Sequence, residues 1–312
     1  MAGPGSGPGP AVLRWRPDWP CPADLVLSQF RHGPADPSYL VDGQGTVWRG
    51  LNTPAGPATL AAGALRDGEI LARAWGDGAA WALQAAPGLL GAWDDPQGFA
   101  PTHPALARLR RTFKHWRLGR SGLVFESLMP AIIEQKVTGT EAFAGYRALV
   151  RGFGAPAPGP AAGRLFVPPG PAQVLAIRSW EWLRLGIDPG RAEPLRRAAM
   201  VAPALERAAT AGSADLDQAL RTIRGVGVWT SAETRTRALG DADAVSFGDW
   251  HIARNVGFVL TGVAVDDAAL TELLEPYRPH RYRVQRLVEL GGLRLPRRGP
   301  RMAPRRHLPT RQ

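Results

Sequence analysis

Two glycines one residue apart, Gly225 and Gly227, restrict this chain of 312 residues more than any other feature. They follow an apolar helix end, Leu220-Arg221-Thr222-Ile223, and a second helix opens at once with Val228-Trp229-Thr230. The chain must therefore turn back within a few residues. Glycine adopts angles that a Cβ forbids and lets a bulky partner approach the main chain closely. The N–H groups of Gly225, Gly227 and Val228 then face outward at a helix N-terminus, a site for an anion such as a phosphate that needs no lysine. A Gly-x-Gly alone is usually a bare turn. What adds weight is the lone acid downstream, Asp249, directly before Trp250-His251-Ile252-Ala253.

Composition narrows the chemistry. The single cysteine, Cys21, excludes structural disulfides, a Cys-rich zinc site and a four-cysteine iron–sulfur cluster. There is no P-loop, HExxH or GxGxxG, so nucleotide hydrolysis, zinc proteolysis and dinucleotide binding have no support. No apolar run approaches ~20 residues, and the start MAGPGSGPGPA has neither a basic nor an apolar signal region, so a soluble, cytoplasmic protein is expected. The net charge of +11 is concentrated at the end: Arg294, Arg297, Arg298, Arg301, Arg305, Arg306 and Arg311 follow Glu289 with no acid among them. Such a tail is either a disordered arm making salt-sensitive phosphate contacts or an idle solvated end. Only Lys114 and Lys136 are lysines, so the arginine count reflects compositional bias rather than function.

The spacing of apolar residues divides the chain into a loose segment over 1–22, a small α+β domain over 23–103, a helical domain over 104–293 and a basic disordered tail over 294–312. Strands are expected at Leu25–Phe30, Ser38–Val41 and Thr46–Arg49 around an Asp42–Gly45 turn, at 58–65 and at 69–75, with a helix over 78–90. Trp15, Trp19, Trp48 and Trp81 are read as core packing in preference to base stacking. Beyond Pro104, helical periods dominate, interrupted by a Pro/Gly/Ala connector over 154–171. Helices are expected over 171–177, 191–211, 215–223, 228–239, 250–260, 266–274 and 280–290.

The residues Leu220, Gly225, Val226, Gly227, Trp229, Thr230 and Asp249, with Arg254 in the next helix, resemble the helix-hairpin-helix plus Gly/Pro/Asp signature of a superfamily of DNA base-excision glycosylases. Arg224 stands where that hairpin usually has proline. Phe125-Glu126-Ser127-Leu128 with Ala131 to Val137, Arg191-Ala192-Glu193 and Tyr277-Arg278-Pro279-His280-Arg281 resemble the alkylation-repair branch, the 3-methyladenine DNA glycosylases. The resemblance spans roughly Leu25 to Gly292. It implies a mainly α protein with an α+β N-terminal domain in helix-hairpin-helix glycosylase architecture, acting without a cofactor, as a monomer, on double-stranded DNA carrying damaged bases.

Site residues follow from the same resemblance. Asp249 matches the family's catalytic aspartate, and a carboxylate there would stabilise positive charge developing on the sugar as the base leaves. Asp249 is equally suited to cap the helix it precedes, and the two roles are compatible. Trp229 and Trp250 are expected to line a base pocket, offering aromatic faces to an electron-poor base. Glu233 and Glu289 stand where the branch has aromatic residues, and either attract a cationic base or hydrogen-bond a neutral one. Lys136 matches the DNA-intercalating wedge. Gln135 faces the partner strand or caps local backbone, and Arg281 contacts the core or a phosphate. Gly225, Val226, Gly227, Val228, Thr230 and Arg254 complete the expected DNA surface. The carbonyls of Arg221, Ile223 and Val226 are candidates for a monovalent cation; no side-chain metal site is expected. Glycosylases that also nick the strand have a lysine where this chain has Trp229, so base release leaving an abasic site is expected. Two alternatives remain: action on an oxidised or deaminated base, and a non-catalytic damaged-DNA-binding protein.

Overall fold

The computed structural model describes residues 9–295. All but the first two residues of the basic tail lie outside them. The segment expected to be loose up to residue 22 contributes the first strand, β1 (Ala11–Trp15), whose register runs from Ala11 opposite Ala74 to Trp15 opposite Ile70. That pairing is non-local, so nothing in the local composition announces it. Leu25–Phe30, expected as a strand, is helical: α1 (Ala23–Leu27) runs into a 3-10 turn over Ser28–Phe30. Leu27 and Phe30 bury against the sheet while Val26 buries beside Trp116 and Tyr282. So short an apolar run carries too little period to separate the two conformations.

β2 (Tyr39–Val41), β3 (Val47–Thr53), β4 (Gly56–Ala64) and β5 (Ile70–Trp75) complete an antiparallel sheet in the order β1-β5-β4-β3-β2. Asp42 builds its first turn, accepting from the N–H groups of Gln44 and Thr46 and from Trp48 Nε1 at 2.8 Å. α2 (Ala79–Leu89) lies on β4 and β5. Buried alanines on both surfaces, among them Ala58, Ala62, Ala72, Ala82 and Ala86, allow the close approach. The four tryptophans pack as expected: Trp15, Trp19 and Trp81 against this core, and Trp48 against a small neighbouring cluster, stacked on Trp75.

α3 (Pro104–Thr112) opens the helical part, and α4 (Val124–Ile133) is its axis, buried at every position except Glu126. α5 (Gly139–Phe153) starts from a capping box on Thr138 and Glu141. The connector that follows is not wholly irregular, because two-residue strands β6 (Ala155–Pro156) and β7 (Phe166–Val167) pair across it. α6 (Pro171–Ala176), an unanticipated short α7 (Ser179–Arg184), α8 (Pro189–Ala211) and α9 (Ser213–Arg221) lead to α10 (Val228–Leu239). α11 (Ile252–Thr261), α12 (Asp267–Leu274) and α13 (Arg281–Leu290) close the chain.

α8 and α10 pack on α4 around a core that includes Leu128, Ile132, Leu195 and Leu220, while α11, α12 and α13 share a second core with α3. Glu126 reaches from α4 to the sheet, accepting from Arg49 Nη2 and the Asn52 N–H, both at 3.0 Å. Burial pushes its carboxyl up and the Arg49 charge opposes that, so this pair pins the sheet to the helices. Burial also pushes the Cys21 thiol up to about 12, which leaves it unreactive. Among the described residues no helix is long and apolar enough to cross a membrane.

Candidate active site

The corner between α9 and α10 is anchored by Leu220, Ile223 and Val226, all buried. Its two glycines have different causes. Gly225 has φ +100°, and a Cβ there would lie 2.4 Å from Pro194 Cγ, so the fold itself demands glycine. Gly227 has φ −104° and ψ −171°, which any residue adopts, and a Cβ there would meet nothing within 4 Å. No contact among the described residues explains its small size. As N-cap of α10 it has no side chain to satisfy the first-turn N–H groups, and Val228, which follows it, is exposed.

The loop after α4 is tied to this corner. Gln135 Nε2 donates to the Gly225 carbonyl at 3.0 Å and to Thr230 Oγ1 at 2.7 Å. Its amide nitrogen thus meets the local-backbone alternative in this structure, and the Thr230 side chain it bonds is buried. Val226 is buried as well, its N–H donating to the Ile223 carbonyl at 2.9 Å. Lys136, next in sequence, is exposed at φ +53°, a left-handed angle that costs a non-glycine residue about 1–2 kcal/mol. From below, buried Arg191 donates to the Ile133 carbonyl and the Gly186 carbonyl, both at 2.9 Å, and so holds the end of α4.

Asp249 follows Gly248, whose φ is +89°. Oδ1 accepts from the N–H groups of His251 (2.7 Å) and Ile252 (3.2 Å), holding the first turn of α11. Oδ2 accepts from Trp229 Nε1 at 3.2 Å, which places the acid against the second residue of α10. The cap is therefore real and uses one oxygen, and the other oxygen is aimed at the hairpin. Trp229 is half-buried, Trp250 is 73% exposed, and the Arg254 guanidinium lies 5.2 Å from the Trp250 ring centroid. Arg254 makes no ion pair among the described residues, so its charge is open to a ligand.

Three expected ligand contacts are engaged internally. Glu233 accepts from Arg237 Nη1 at 2.6 Å, one turn along the same helix, and from the Ser246 hydroxyl. Glu289 accepts from Gln285 Nε2 (3.0 Å) and Arg286 Nη1 (2.9 Å). Gln285 also bonds Ser246, so both acids belong to one network between α10 and α13. Arg281 is bidentate to Asp243 at 2.8 and 2.7 Å through Nε and Nη2, which meets the internal alternative. The Ile223 carbonyl already accepts the Val226 N–H at 2.9 Å, which leaves it one lone pair for any cation. Among the described residues no group of three His, Cys, Asp or Glu side chains is placed to hold a metal.

Two further residues reach this region. Glu134, the C-cap of α4, pairs with His32 Nδ1 at 3.2 Å, and His32 lies between the 3-10 turn and β2. Glu134 lies within the Ala131 to Val137 stretch, directly before Gln135 and Lys136, which was a usable signal. His32, far upstream in sequence, had none. A hollow of about 600 Å³ lined by Trp93, Arg278 and His280 shares none of these residues.

No sequence-family model matches the chain, and no curated protein does. Solved structures match. A 3-methyladenine DNA glycosylase from Archaeoglobus fulgidus, 20% identical, aligns over 89% of this chain and 96% of its own with a TM-score of 0.75. The chain has the fold of the DNA glycosylases. An 8-oxoguanine glycosylase/lyase from Clostridium acetobutylicum, solved with double-stranded DNA, is 11% identical over 85% of this chain and 91% of its own, with a TM-score of 0.64. A 3-methyladenine DNA glycosylase from Schizosaccharomyces pombe, in complex with abasic DNA, is 17% identical over 61% and 92%, with a TM-score of 0.50. These glycosylase structures are named for different bases, so the shared fold does not by itself select a base.

Proposed function

We propose that this glycosylase-fold protein is a monofunctional DNA N-glycosylase that extrudes and releases an alkylated base from duplex DNA, leaving an abasic site for base excision repair. The observation that carries this reading is the Asp249 carboxylate hydrogen-bonded to Trp229, the second residue of the helix whose uncapped N-terminus follows Gly227. A base inside a duplex is out of reach, so the backbone must be gripped and the nucleotide turned out. The open N–H groups beside Gly227 would take a phosphate, and Lys136 would enter the vacated stack, its stem filling the gap and its ammonium reaching a phosphate.

Asp249 then acts on the sugar. Bond breaking leaves oxocarbenium character on the ring, and a carboxylate already fixed by three hydrogen bonds stabilises it without reorganising, and orients the attacking water. Strand nicking through a Schiff base needs an amine at the position occupied by Trp229. Trp229 and Trp250 offer faces on which an electron-poor alkylated base stacks, worth about 1–3 kcal/mol. As a working assembly we propose one protein chain acting alone on DNA in the cytoplasm.

Gly227→Ala separates binding from folding. Its melting temperature should match the wild type, because the added Cβ meets no protein atom, while affinity for duplex DNA should fall about tenfold as the methyl obstructs phosphate approach. Fluorescence anisotropy beside a melting curve measures both, and unchanged affinity would remove the corner from the interface. The reading as a whole is tested by incubating the protein with duplexes carrying 3-methyladenine, 7-methylguanine, hypoxanthine, uracil or 8-oxoguanine and identifying any freed base by mass spectrometry. Release of an alkylated base from a strand that stays intact until heated in alkali is the expected result. Absence of any freed base would refute it.

A further inference from the structure

Glu134 is an acid close enough to feel the Asp249 charge that the reaction above does not use. It ends α4, its side chain remains 21% exposed, and Oε1 faces His32 Nδ1 while Oε2 has no protein donor among the described residues. The next residue, Gln135, bonds Thr230, whose neighbour Trp229 bonds Asp249. His32 is itself fixed: its N–H donates to Asp36 Oδ2 at 2.7 Å and its ring lies 4.8 Å from that of Tyr146. Holding the domains together does not account for this pair, because buried Arg49 and Glu126 already join sheet to helix at the same junction. An acid held on one oxygen and open on the other is built to receive something.

We propose, resting on the glycosylase reading above, that Glu134 contacts the extruded base and selects it, with His32 as its positioning residue. Burial alone would raise the Glu134 carboxyl; the hydrogen-bonded His32 and the Arg237 guanidinium outweigh it, against the Asp249 charge, and hold it below the ordinary value. The group is then an ionised carboxylate near neutral pH, an acceptor with no proton to give. It accepts from an exocyclic amine and faces a carbonyl at the same position acceptor to acceptor. Together with Asp249 it also places negative charge around the base, which favours a cationic ring over a neutral one. The selecting carboxylate therefore sits at the end of α4, and its orientation depends on His32 from the segment before β2.

The test is a ratio of release rates, from duplexes carrying 3-methyladenine, cationic with an amine, and hypoxanthine, neutral with a carbonyl. In Glu134→Gln an amide donor replaces one acceptor oxygen, and the 3-methyladenine to hypoxanthine ratio should fall at least tenfold. His32→Ala should lower the same ratio by a smaller factor, and Glu134→Asp, which keeps the charge, should preserve the preference if the Gln variant melts early. Melting curves and affinity for an abasic duplex confirm that each variant is folded. Rates that fall equally for both bases, or do not change, would overturn the proposal by making the pair structural. A wild type that prefers hypoxanthine would overturn it and leave the glycosylase reading standing. A wild type that frees no base removes both.

Discussion

Asp249→Asn should abolish base release, slowing it by at least about a hundredfold, while affinity for lesion-containing duplex stays within a few-fold. The geometry makes asparagine the informative replacement. An amide oxygen in place of Oδ1 still accepts from the His251 and Ile252 N–H groups, so α11 keeps its start. What is lost is the charge that would face the developing oxocarbenium sugar. The amide nitrogen would oppose the Trp229 Nε1 donor, a cost of about 1 kcal/mol that a melting curve reads separately. Asp249→Ala confounds the two effects because it removes cap and charge together. Single-turnover assays beside anisotropy decide the matter, and equal release by wild type and Asn variant would reject the mechanism.

Asp94→Ala should destabilise the fold by about 3–5 kcal/mol, a large share of the roughly 5–15 kcal/mol that holds a domain together. Arg283 and Asp94 are exposed by only 2% and 3%. Arg283 Nη1 donates to Asp94 Oδ2 at 2.8 Å and Nη2 to Oδ1, with further bonds to the Asp95 carbonyl (3.0 Å) and His280 Nδ1 (3.1 Å). Asp94 Oδ2 also accepts the Leu118 N–H at 2.8 Å. Truncation thus strands a buried guanidinium and a buried N–H together. Replacing both partners, Asp94→Leu with Arg283→Met, should cost less than the single change, because no uncompensated charge remains. Denaturant midpoints at unchanged slope measure the series. A loss below about 1 kcal/mol for the single variant would show that the site hydrates or relaxes instead.

Much of the framework was legible because it is local. The helix after the double glycine spans Val228–Leu239, the residues its apolar spacing implied, and α8 and α13 begin and end within two residues of expectation. Gly225 needs its positive φ wherever the corner sits, and Asp249 needs only its place before α11 to cap it. Strand β1 and helix α1 were misread for opposite reasons. One depends on a partner strand distant in sequence, and the other is too short for its period to speak.

The residue types of the site were set by sequence: two glycines, one acid before a helix, and tryptophan in place of lysine. Which of the candidate side chains find partners inside the protein was decided only in three dimensions. Glu233, Glu289, Gln135 and Arg281 had partners waiting on other elements or one turn away, and an available ion pair or hydrogen bond inside a protein captures a charged or polar side chain that the sequence alone leaves free. His32 and Glu134 went the other way, brought together from positions 102 residues apart, with no donor on the second oxygen among the described residues.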